Sequence, residues 1–256
     1  MKRVAIVGGA GRMGQALAPG LGALDDLKVV TLIDVREPDD LFGASYAKSL
    51  SDNEGLAVDV VVDFSAPESV VRSAQWCATH RVALVIGTTG LSPEQRSAVD
   101  EASTKTGVVI AANYSLGAVL AERFAAMAAP YFDRVEIIEL HHDRKVDAPS
   151  GTSLTTARAI VDARKRAGKD PLIDPTTHHS VAGARGADAG DGVKIHSVRL
   201  PGLVSHQEVL FGGPGEGLVI RQDSFDRQSY VQGVALAVRS VSNVPKLTIG
   251  IDSFLA

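Results

Sequence analysis

The sequence contains very little cysteine and no long apolar run. Cys77 is the single cysteine in 256 residues, which excludes an internal disulfide and a cysteine-based zinc site and is typical of a reducing compartment. No apolar stretch approaches the roughly 20 residues that cross a membrane. Met1-Lys2-Arg3 leads straight into an apolar stretch with no small-residue cleavage site. These absences predict a cytoplasmic protein with no signal peptide and no membrane partner.

An excess of positive charge is also missing. Lys and Arg number 26 against 30 Asp and Glu, for a formal net charge of −4, which argues against nucleic acid as a partner. His178-His179 stand in a polar segment without spaced partners, so we predict a solvated loop and no bound metal. What the chain does have is 45% hydrophobic residues, enough for one large domain or two small ones.

The N-terminal stretch carries a glycine-rich turn between a predicted strand and a predicted helix. The strand at residues 2–7 runs into Gly8-Gly9-Ala10-Gly11-Arg12-Met13-Gly14, which satisfies G-x-G-x-x-G, and a second strand ends at Asp34. This order predicts a dinucleotide site in which residues 8–13 hold the pyrophosphate and Asp34 binds the adenosine ribose. Arg36 could pair with a 2′-phosphate, so NADH and NADPH both stay open. Pro19 should kink or end the first helix.

Apolar strands continue to alternate with helices as far as residue 129. Such alternation predicts a parallel sheet covered on both faces, with ligands at the carboxyl ends of its strands. Gly87-Thr88-Thr89 and Ala111-Ala112-Asn113-Tyr114 follow two of these strands. We predict that they contact the nicotinamide and its ribose, although ordinary turns would explain them if the glycine turn were absent.

The second half has a different pattern. A strand at residues 135–140 precedes a polar loop and a helix, and three strands between residues 194 and 224 are separated by turns rich in Gly and Pro. We therefore predict an α/β fold: a Rossmann-type parallel sheet with a second, smaller α+β substrate and oligomerisation domain on a mixed sheet. The dinucleotide domain would span residues 1–129, completed by a C-terminal helix at residues 226–256, and the substrate domain would span residues 130–225. One helix cannot cover both faces of that sheet, so we expect a homo-oligomer.

The loop before the second-half helix collects residues that can move protons. Lys145 can donate a proton if desolvation or neighbouring cations lower its pKa, and His141 and His142 titrate near neutrality. Ser150 is the predicted N-cap, leaving the N–H groups of Gly151, Thr152 and Ser153 to bind an anion. This combination suits a small acidic substrate that is protonated during reaction. A solvated loop beside a capped helix is the alternative interpretation.

This loop closely resembles the signature of the dihydrodipicolinate reductase family. That signature is Glu, one residue, His-His, two residues, Lys, one residue and Asp-Ala-Pro-Ser-Gly-Thr, and residues 139–152 meet every fixed position. Gly11-Arg12-Met13-Gly14, Gly87-Thr88-Thr89-Gly90 and residues 113–117 match in the same order, so the resemblance covers essentially the whole chain. The chain departs at Ala112, where the family usually has Pro, and at Tyr114, where Phe is usual.

The resemblance implies a reaction and a role for each matched residue. The reaction is NAD(P)H-dependent reduction of 4-hydroxy-tetrahydrodipicolinate or its dehydrated form, a small dicarboxylate cyclic imine, to tetrahydrodipicolinate in lysine and diaminopimelate biosynthesis. It implies Lys145 as proton donor, His141 as a second acid/base residue and His142 as a substrate ligand. Gly151 and Thr152 would hold a substrate carboxylate, and the assembly would be a homotetramer.

Two other functions remain open. A non-catalytic NAD(P) sensor would keep the glycine turn but would not need Lys145. A related reductase acting on another cyclic imine or amino acid would keep the hydride chemistry but could relax the carboxylate site.

Overall fold

The computed structural model describes residues 1–53, 55, 57–244 and 246–255, and the chain forms two compact units. Unit 1 comprises Met1–Leu116 and Arg227–Ala256, and unit 2 comprises Gly117–Asp226. The boundary lies one helix earlier than the one predicted after residue 129, because the helix Leu116–Ala128 belongs almost entirely to unit 2. Ala125 and Ala129, in and just after that helix, pack into the hydrophobic core of unit 2.

The strands and helices have the following bounds. The strands are β1 (Lys2–Val7), β2 (Leu27–Ile33), β3 (Ser45–Ala47), β4 (Val60–Asp63), β5 (Ala83–Ile86), β6 (Val108–Ile110), β7 (Arg134–His141), β8 (Ala187–Asp188), β9 (Lys194–Arg199), β10 (Ser205–Gly213), β11 (Glu216–Ser224) and β12 (Leu247–Ile249). The helices are α1 (Arg12–Gly22), α2 (Pro67–His80), α3 (Pro93–Ala102), α4 (Leu116–Ala128), α5 (Gly151–Arg166) and α6 (Val231–Ser240).

Unit 1 contains a seven-stranded sheet in the order β12-β6-β5-β4-β1-β2-β3, and its pairs are parallel. Its central strands are continuous apolar runs with no exposed side, as in Val60-Val61-Val62, and α2 buries Val70, Ala74 and Cys77 against them. The predicted Rossmann-type sheet is confirmed. Because its strands are parallel, the carboxyl ends of β1, β2, β4, β5 and β6 meet at one edge.

Helix α1 continues past Pro19 and ends three residues later, at Gly22, so Pro19 does not end the helix. The expectation for the C-terminal segment was wrong. The C-terminal segment is not one helix over residues 226–256, because α6 ends at Ser240 and is followed by β12. Strand β12 has three residues and pairs with β6, which the short apolar pattern at Leu247 did not reveal.

Unit 2 contains a five-stranded sheet in the order β11-β10-β7-β9-β8. The β7–β9 pair is parallel and the other pairs are antiparallel, so the predicted mixed sheet is confirmed. Alternate residues of β7, including Val135 and Ile137, pack with Ile160 of α5 and Ala125 of α4 on one face. We call the opposite face of this sheet the open face.

In the described part of the chain, no helix combines the length and the apolar character that a membrane span requires.

Candidate active site

The glycine turn of unit 1 brings backbone segments into very close contact. A Cβ on Gly8, whose φ is +84°, would lie 2.4 Å from the carbonyl oxygen of Phe64, and a Cβ on Gly14 would lie 2.3 Å from the carbonyl oxygen of Gly8. Only glycine fits either position. Helix α1 then begins at Arg12, and its N-cap, Gly11, supplies no side-chain cap.

The N–H groups of the turn itself already have partners. Those of Gly8 and Gly9 donate to the carbonyl of Ile33 at 2.9 and 3.0 Å, and that of Gly11 donates to Gly8 at 3.0 Å. The N–H of Ala10 donates to Asp34 Oδ2 at 3.1 Å. An anion at this turn would therefore meet the first N–H groups of helix α1, starting at Arg12 and Met13.

Asp34 follows β2 and lines a cavity of about 490 Å³. The cavity is also lined by Gly8, Gly11, Lys48, Arg72 and Trp76, so it extends from the glycine turn to one side of α2. The Arg36 guanidinium donates to the carbonyl of Ala10 at 3.1 Å and its N–H donates to Asp34 Oδ1 at 3.3 Å. Lys48, Arg72 and Trp76 were not singled out from the sequence, because only the fold brings them to this cavity.

A buried carboxylate ties together the ends of β4 and β5. Asp63 is fully buried and accepts hydrogen bonds from the hydroxyls of Ser73 at 2.6 Å and Thr88 at 3.1 Å, and from the N–H of Ser65. Burial raises the pKa of Asp63, although these hydrogen bonds and one from the Ser65 hydroxyl oppose the rise. The Thr88 hydroxyl is therefore engaged inside the protein, whereas Thr89 is exposed.

Two of the residues predicted after β5 and β6, Gly87 and Tyr114, lie beside the ring of Phe64. Tyr114 is fully buried, its hydroxyl donates to the carbonyl of Ile86 at 2.8 Å, and its ring centroid is 5.5 Å from that of Phe64. Burial raises the pKa of Tyr114, so its hydroxyl is a neutral donor. A Cβ on Gly87 would lie 2.0 Å from a Phe64 ring atom. The hydroxyl that Tyr114 adds relative to Phe therefore has a hydrogen-bond acceptor inside the protein, the carbonyl of Ile86.

Ala111 and Asn113 of the segment after β6 also face inward or structure the turn, whereas Ala112 is exposed. Ala111 is buried and its N–H donates to the carbonyl of Ile86 at 3.1 Å. The Asn113 side chain accepts the N–H of Ser115 at 2.9 Å, which shapes the turn before α4.

In unit 2, His141 is the last residue of β7 and forms part of a polar chain. Its Nδ1 hydrogen-bonds to Glu139 Oε2, and its Nε2 lies 3.1 Å from the hydroxyl of Ser205. Burial lowers the pKa of His141, nearby Lys145 and Arg199 lower it further, and Glu139 opposes them. His141 therefore stays neutral at lower pH than an ordinary histidine.

Glu139 is fully buried and forms a two-pronged ion pair with Arg199, each prong 2.8 Å long. Arg199 also donates to the backbone carbonyl of Asp147 at 2.7 Å, so it joins β9 to the loop. Burial alone raises the pKa of Glu139, but hydrogen bonds from Arg199, Ser197 and His141 outweigh it, and the pKa lies below its usual range.

Lys145 has an anionic partner in its own loop. Its Nζ lies 2.7 Å from both carboxylate oxygens of Asp147. Lys145 lowers the pKa of Asp147. A substrate that binds Lys145 must therefore compete with Asp147, an interaction that the sequence analysis did not foresee.

The start of helix α5 matches the predicted cap with one correction. Ser150 caps the helix by accepting the N–H of Ser153 at 3.2 Å, so the expectation that Ser153 offers this N–H to a ligand was wrong. The Ser153 hydroxyl donates to Gln207 at 2.8 Å, anchoring α5 to β10. A Cβ on Gly151 would meet no atom within 4 Å, so the backbone there is open to approach.

His142 lies beside His141 but in different surroundings. Its Nδ1 is buried and has no hydrogen-bond partner among the described residues. A buried nitrogen without a partner costs about 1–3 kcal/mol, which a bound polar group would recover. His, Cys, Asp and Glu of the described residues form no group of three or more that could hold a metal ion.

Sequence reasoning overlooked Glu139, Arg199 and Ser205 as members of this site. Glu139 did carry a signal, because it occupies a core-facing position in the alternating pattern of β7, where a charge is costly. No local pattern placed Arg199 or Ser205 in this site, since they lie about 60 residues away and meet the loop only through strand pairing.

The fold and these sites together define a class. A parallel sheet with a glycine turn at its first helix and an acid after its second strand, joined to a mixed-sheet unit bearing clustered His and Lys, is a two-unit Rossmann oxidoreductase.

Comparison with known proteins identifies the family. The models "Dihydrodipicolinate reductase, N-terminus" and "Dihydrodipicolinate reductase, C-terminus" match residues 2–114 and 117–255. The chain belongs to the dihydrodipicolinate reductase family.

Relatives and a solved structure agree over the full length. The 4-hydroxy-tetrahydrodipicolinate reductases of Corynebacterium diphtheriae and Mycolicibacterium vanbaalenii are 44% and 46% identical to this chain, with 99% of it and 98% of each relative covered. The dipicolinate-bound dihydrodipicolinate reductase of a Paenisporosarcina species superposes with a TM-score of 0.88 at 36% identity, covering 100% of both chains.

Proposed function

We propose that this chain reduces 4-hydroxy-tetrahydrodipicolinate, whose hydroxyl leaves as water, to tetrahydrodipicolinate with NADH or NADPH, in lysine and diaminopimelate biosynthesis. The names of its full-length relatives support this reaction. The observation that carries it to these residues is in unit 2, where Lys145, His141 and the open backbone of Gly151 belong to one short segment around the start of α5. That segment offers proton-transfer groups and an anion site to a small dicarboxylate.

The residues of unit 1 fit a pyridine nucleotide. Gly8, Gly9, Ala10 and Gly11 form a turn too tight for side chains at its closest approaches, and the N–H groups of Arg12 and Met13 would bind the pyrophosphate. Each oxygen of Asp34 accepts one N–H and retains a lone pair for a ribose hydroxyl. The bound nucleotide supplies a hydride. Lys48 and Arg72 line the same cavity, and their positive charge would suit an additional phosphate, which supports NADPH as well as NADH.

The carboxyl ends of β5 and β6 would contact the nicotinamide and its ribose. Gly87, Thr88, Thr89, Ala111, Ala112, Asn113 and Tyr114 form this edge. Because the hydroxyls of Thr88 and Tyr114 are engaged internally, we expect backbone groups and the exposed Thr89 to make the polar contacts.

In unit 2 the substrate would be held by backbone and side-chain donors. Gly151 and Thr152 would donate N–H groups to one carboxylate at the start of α5, where the helix dipole favours an anion. His142 would bind a substrate oxygen. Lys145, released from Asp147 by the incoming anion, would protonate the ring atom that gains electron density, and His141 would act as the second acid/base residue.

We further propose a cytoplasmic homotetramer with no nucleic-acid or membrane partner. The open face of unit 2 supports assembly, because a sheet whose helices pack on one side leaves apolar side chains on the other. Val219 on this face is 56% exposed.

The reaction can be tested by following oxidation of NADH and of NADPH while dihydrodipicolinate synthase supplies fresh substrate. Oxidation that requires the synthase, and that a Lys145→Ala variant lacks while still binding NADH, is the expected result. Protein that is folded and binds NADH but oxidises neither cofactor would contradict the proposed substrate. That outcome would favour a related imine first and the sensor function second.

A further inference from the structure

The side chains of Glu139, His141 and Ser205 form a hydrogen-bonded chain on the helix-covered face of the sheet of unit 2. Glu139 and His141 are two residues apart on β7 and therefore point to the same face, and Ser205 is the register partner of His141 on β10. Glu139 contacts Nδ1 of His141, and Ser205 lies 3.1 Å from Nε2. Both ring nitrogens thus have a defined partner.

A carboxylate at the position of Glu139 carries a large desolvation cost. It is fully buried in a strand whose neighbouring core positions are Val135 and Ile137. A buried ion pair such as Glu139–Arg199 is often no more stabilising than apolar residues of the same volume. Stability alone therefore does not explain why a carboxylate occupies this position. Its hydrogen bond to His141 does, if that bond serves the function of His141.

We propose that Glu139 is a positioning residue: it accepts the Nδ1–H of His141 and thereby presents the Nε2 lone pair to Ser205 and to the substrate region. Arg199 holds the carboxylate in place through its two hydrogen bonds. The inference rests on the proposed function insofar as His141 takes part in proton transfer. The hydrogen-bonding arrangement itself can be tested without catalysis.

The charges around His141 make a definite prediction. The groups that face the ring are Glu139 on β7, Arg199 on β9, Lys145 in the loop and Ser205 on β10. Glu139 is the one anion among them, so it is the group that favours the imidazolium form, against burial and the two cations. Proton movement at His141 then takes place at Nε2, and Glu139 stabilises the charge that forms on the ring.

The test is a Glu139→Gln substitution, which keeps the length of the side chain and an acceptor oxygen but removes the charge. The pKa of His141 is measured by NMR on protein with ¹³C-labelled histidines, and its resonance is assigned with a His141→Gln variant. Loss of an adjacent opposite charge should lower the His141 pKa by about one unit or more. The acidic limb of the kcat/KM profile should move to lower pH by the same amount, and kcat should fall about tenfold or more.

A matched control exists on the same strand. Glu136 on the open face also hydrogen-bonds a histidine, His196, and an arginine, Arg185. A Glu136→Gln variant should leave both the His141 pKa and the pH profile unchanged. If Glu139→Gln shifts neither quantity, or if Glu136→Gln shifts both equally, the positioning role is wrong.

Loss of folding in the Glu139→Gln variant must be distinguished from loss of the positioning role. Circular dichroism and NADH binding report whether the variant is folded. If Glu139→Gln is unstable because Arg199 loses its partner, the double variant Glu139→Gln/Arg199→Gln removes the unpaired cation and keeps a neutral hydrogen-bonded pair. In a folded double variant the pH limb of kcat/KM must still differ from that of Arg199→Gln alone, and identical profiles would overturn the proposal. If Glu139→Gln lowers the His141 pKa but the wild type has no reductase activity, the positioning role of Glu139 stands and only the proposed reaction is contradicted.

Discussion

At the scale of single residues, two buried carboxylates show how partners decide the state of a charge. Asp63 is surrounded by hydroxyl and amide donors, and its pKa is raised, whereas Glu139 has Arg199, and its pKa is lowered. Neutral donors do not offset the loss of hydration, but a two-pronged cation does. Glu139 therefore stabilises the fold above its unfolded pKa, near 4.5, and this contribution is lost as the pH falls through the lower folded value.

The raised pKa of Asp63 gives a pH-dependent prediction for Asp63→Asn. Between the unfolded value, near 3.8, and the folded value, the native state keeps a proton that the unfolded state releases. As the pH rises through this window, the wild type should therefore lose about 1.4 kcal/mol of stability per pH unit, and the variant should not. Thermal unfolding of both proteins over a pH series from about pH 4 to about pH 8 checks this. A difference in stability that does not change with pH would contradict it.

Gly151 gives a prediction about substrate binding. A methyl group at this position meets no protein atom within 4 Å, so Gly151→Ala should fold normally. The methyl would occupy the space through which a carboxylate approaches the start of α5, so we expect KM for the substrate to rise about tenfold, equivalent to about 1.4 kcal/mol. Steady-state kinetics with the coupled synthase measure it, and the Kd for NADH should stay constant. An unchanged KM would remove Gly151 from the anion site.

At the scale of elements, the C-terminal segment completes unit 1. Helix α6 packs against α1, where a Cβ on Gly20 would lie 2.5 Å from Val231, and β12 extends the sheet beside β6. Gly233 of α6 sits against the carbonyl oxygen of Tyr114, 1.9 Å from where a Cβ would be. The end of the chain thus supports the segment that follows β6.

This packing reverses the usual effect of a helix glycine. Alanine normally stabilises a helix by about 1 kcal/mol relative to glycine, but Gly233→Ala must displace the Tyr114 backbone and should destabilise the protein by about 1–3 kcal/mol. Gly22→Ala in α1 is the matched control, because its Cβ would meet nothing within 4 Å. Denaturant unfolding should show a loss for the first variant and no loss for the second. A gain in stability for Gly233→Ala would mean that α6 does not pack against Tyr114 as described.

At the scale of the whole molecule, the open face of unit 2 combines charge pairs with apolar side chains. Arg221 pairs with Glu208 and Asp223, and Glu136 pairs with Arg185 and His196. The apolar residues of the same face are Ile138, Leu140, Val198, Leu210 and Val219. Pairing offsets part of the cost of burying these charges in an interface, and the apolar residues gain from burial.

Ile138 lies on the central strand of the open face and tests the proposed tetramer. Ile138→Asp places a charge where the interface would be dry, so light scattering coupled to size exclusion should show smaller species than the wild type. Ile173→Asp is the control, because Ile173 lies outside the strands of unit 2 and is 73% exposed. A monomeric wild type, or a tetramer that survives Ile138→Asp, would contradict assembly through this face.

Local chemistry determined much of this protein from its sequence alone. The glycine turn, the acid after β2, the apolar strands and the Ser150 cap are visible because each depends on residues close together in the chain. The same holds for the loop residues from His141 to Thr152, whose motif placed the chain in its family.

Tertiary structure decided what those residues contact. Glu139 meets Arg199, and His141 meets Ser205, only because β7 lies between β9 and β10. The cavity beside Asp34 gains Lys48 and Trp76 only because β3 pairs with β2 and α2 packs into the same hydrophobic core. The partners of Thr88 and Ser153, and the place of β12, also depend on contacts between distant segments. Side-chain periodicity reports which face of an element is buried, but pairing between elements remote in sequence sets which groups meet there.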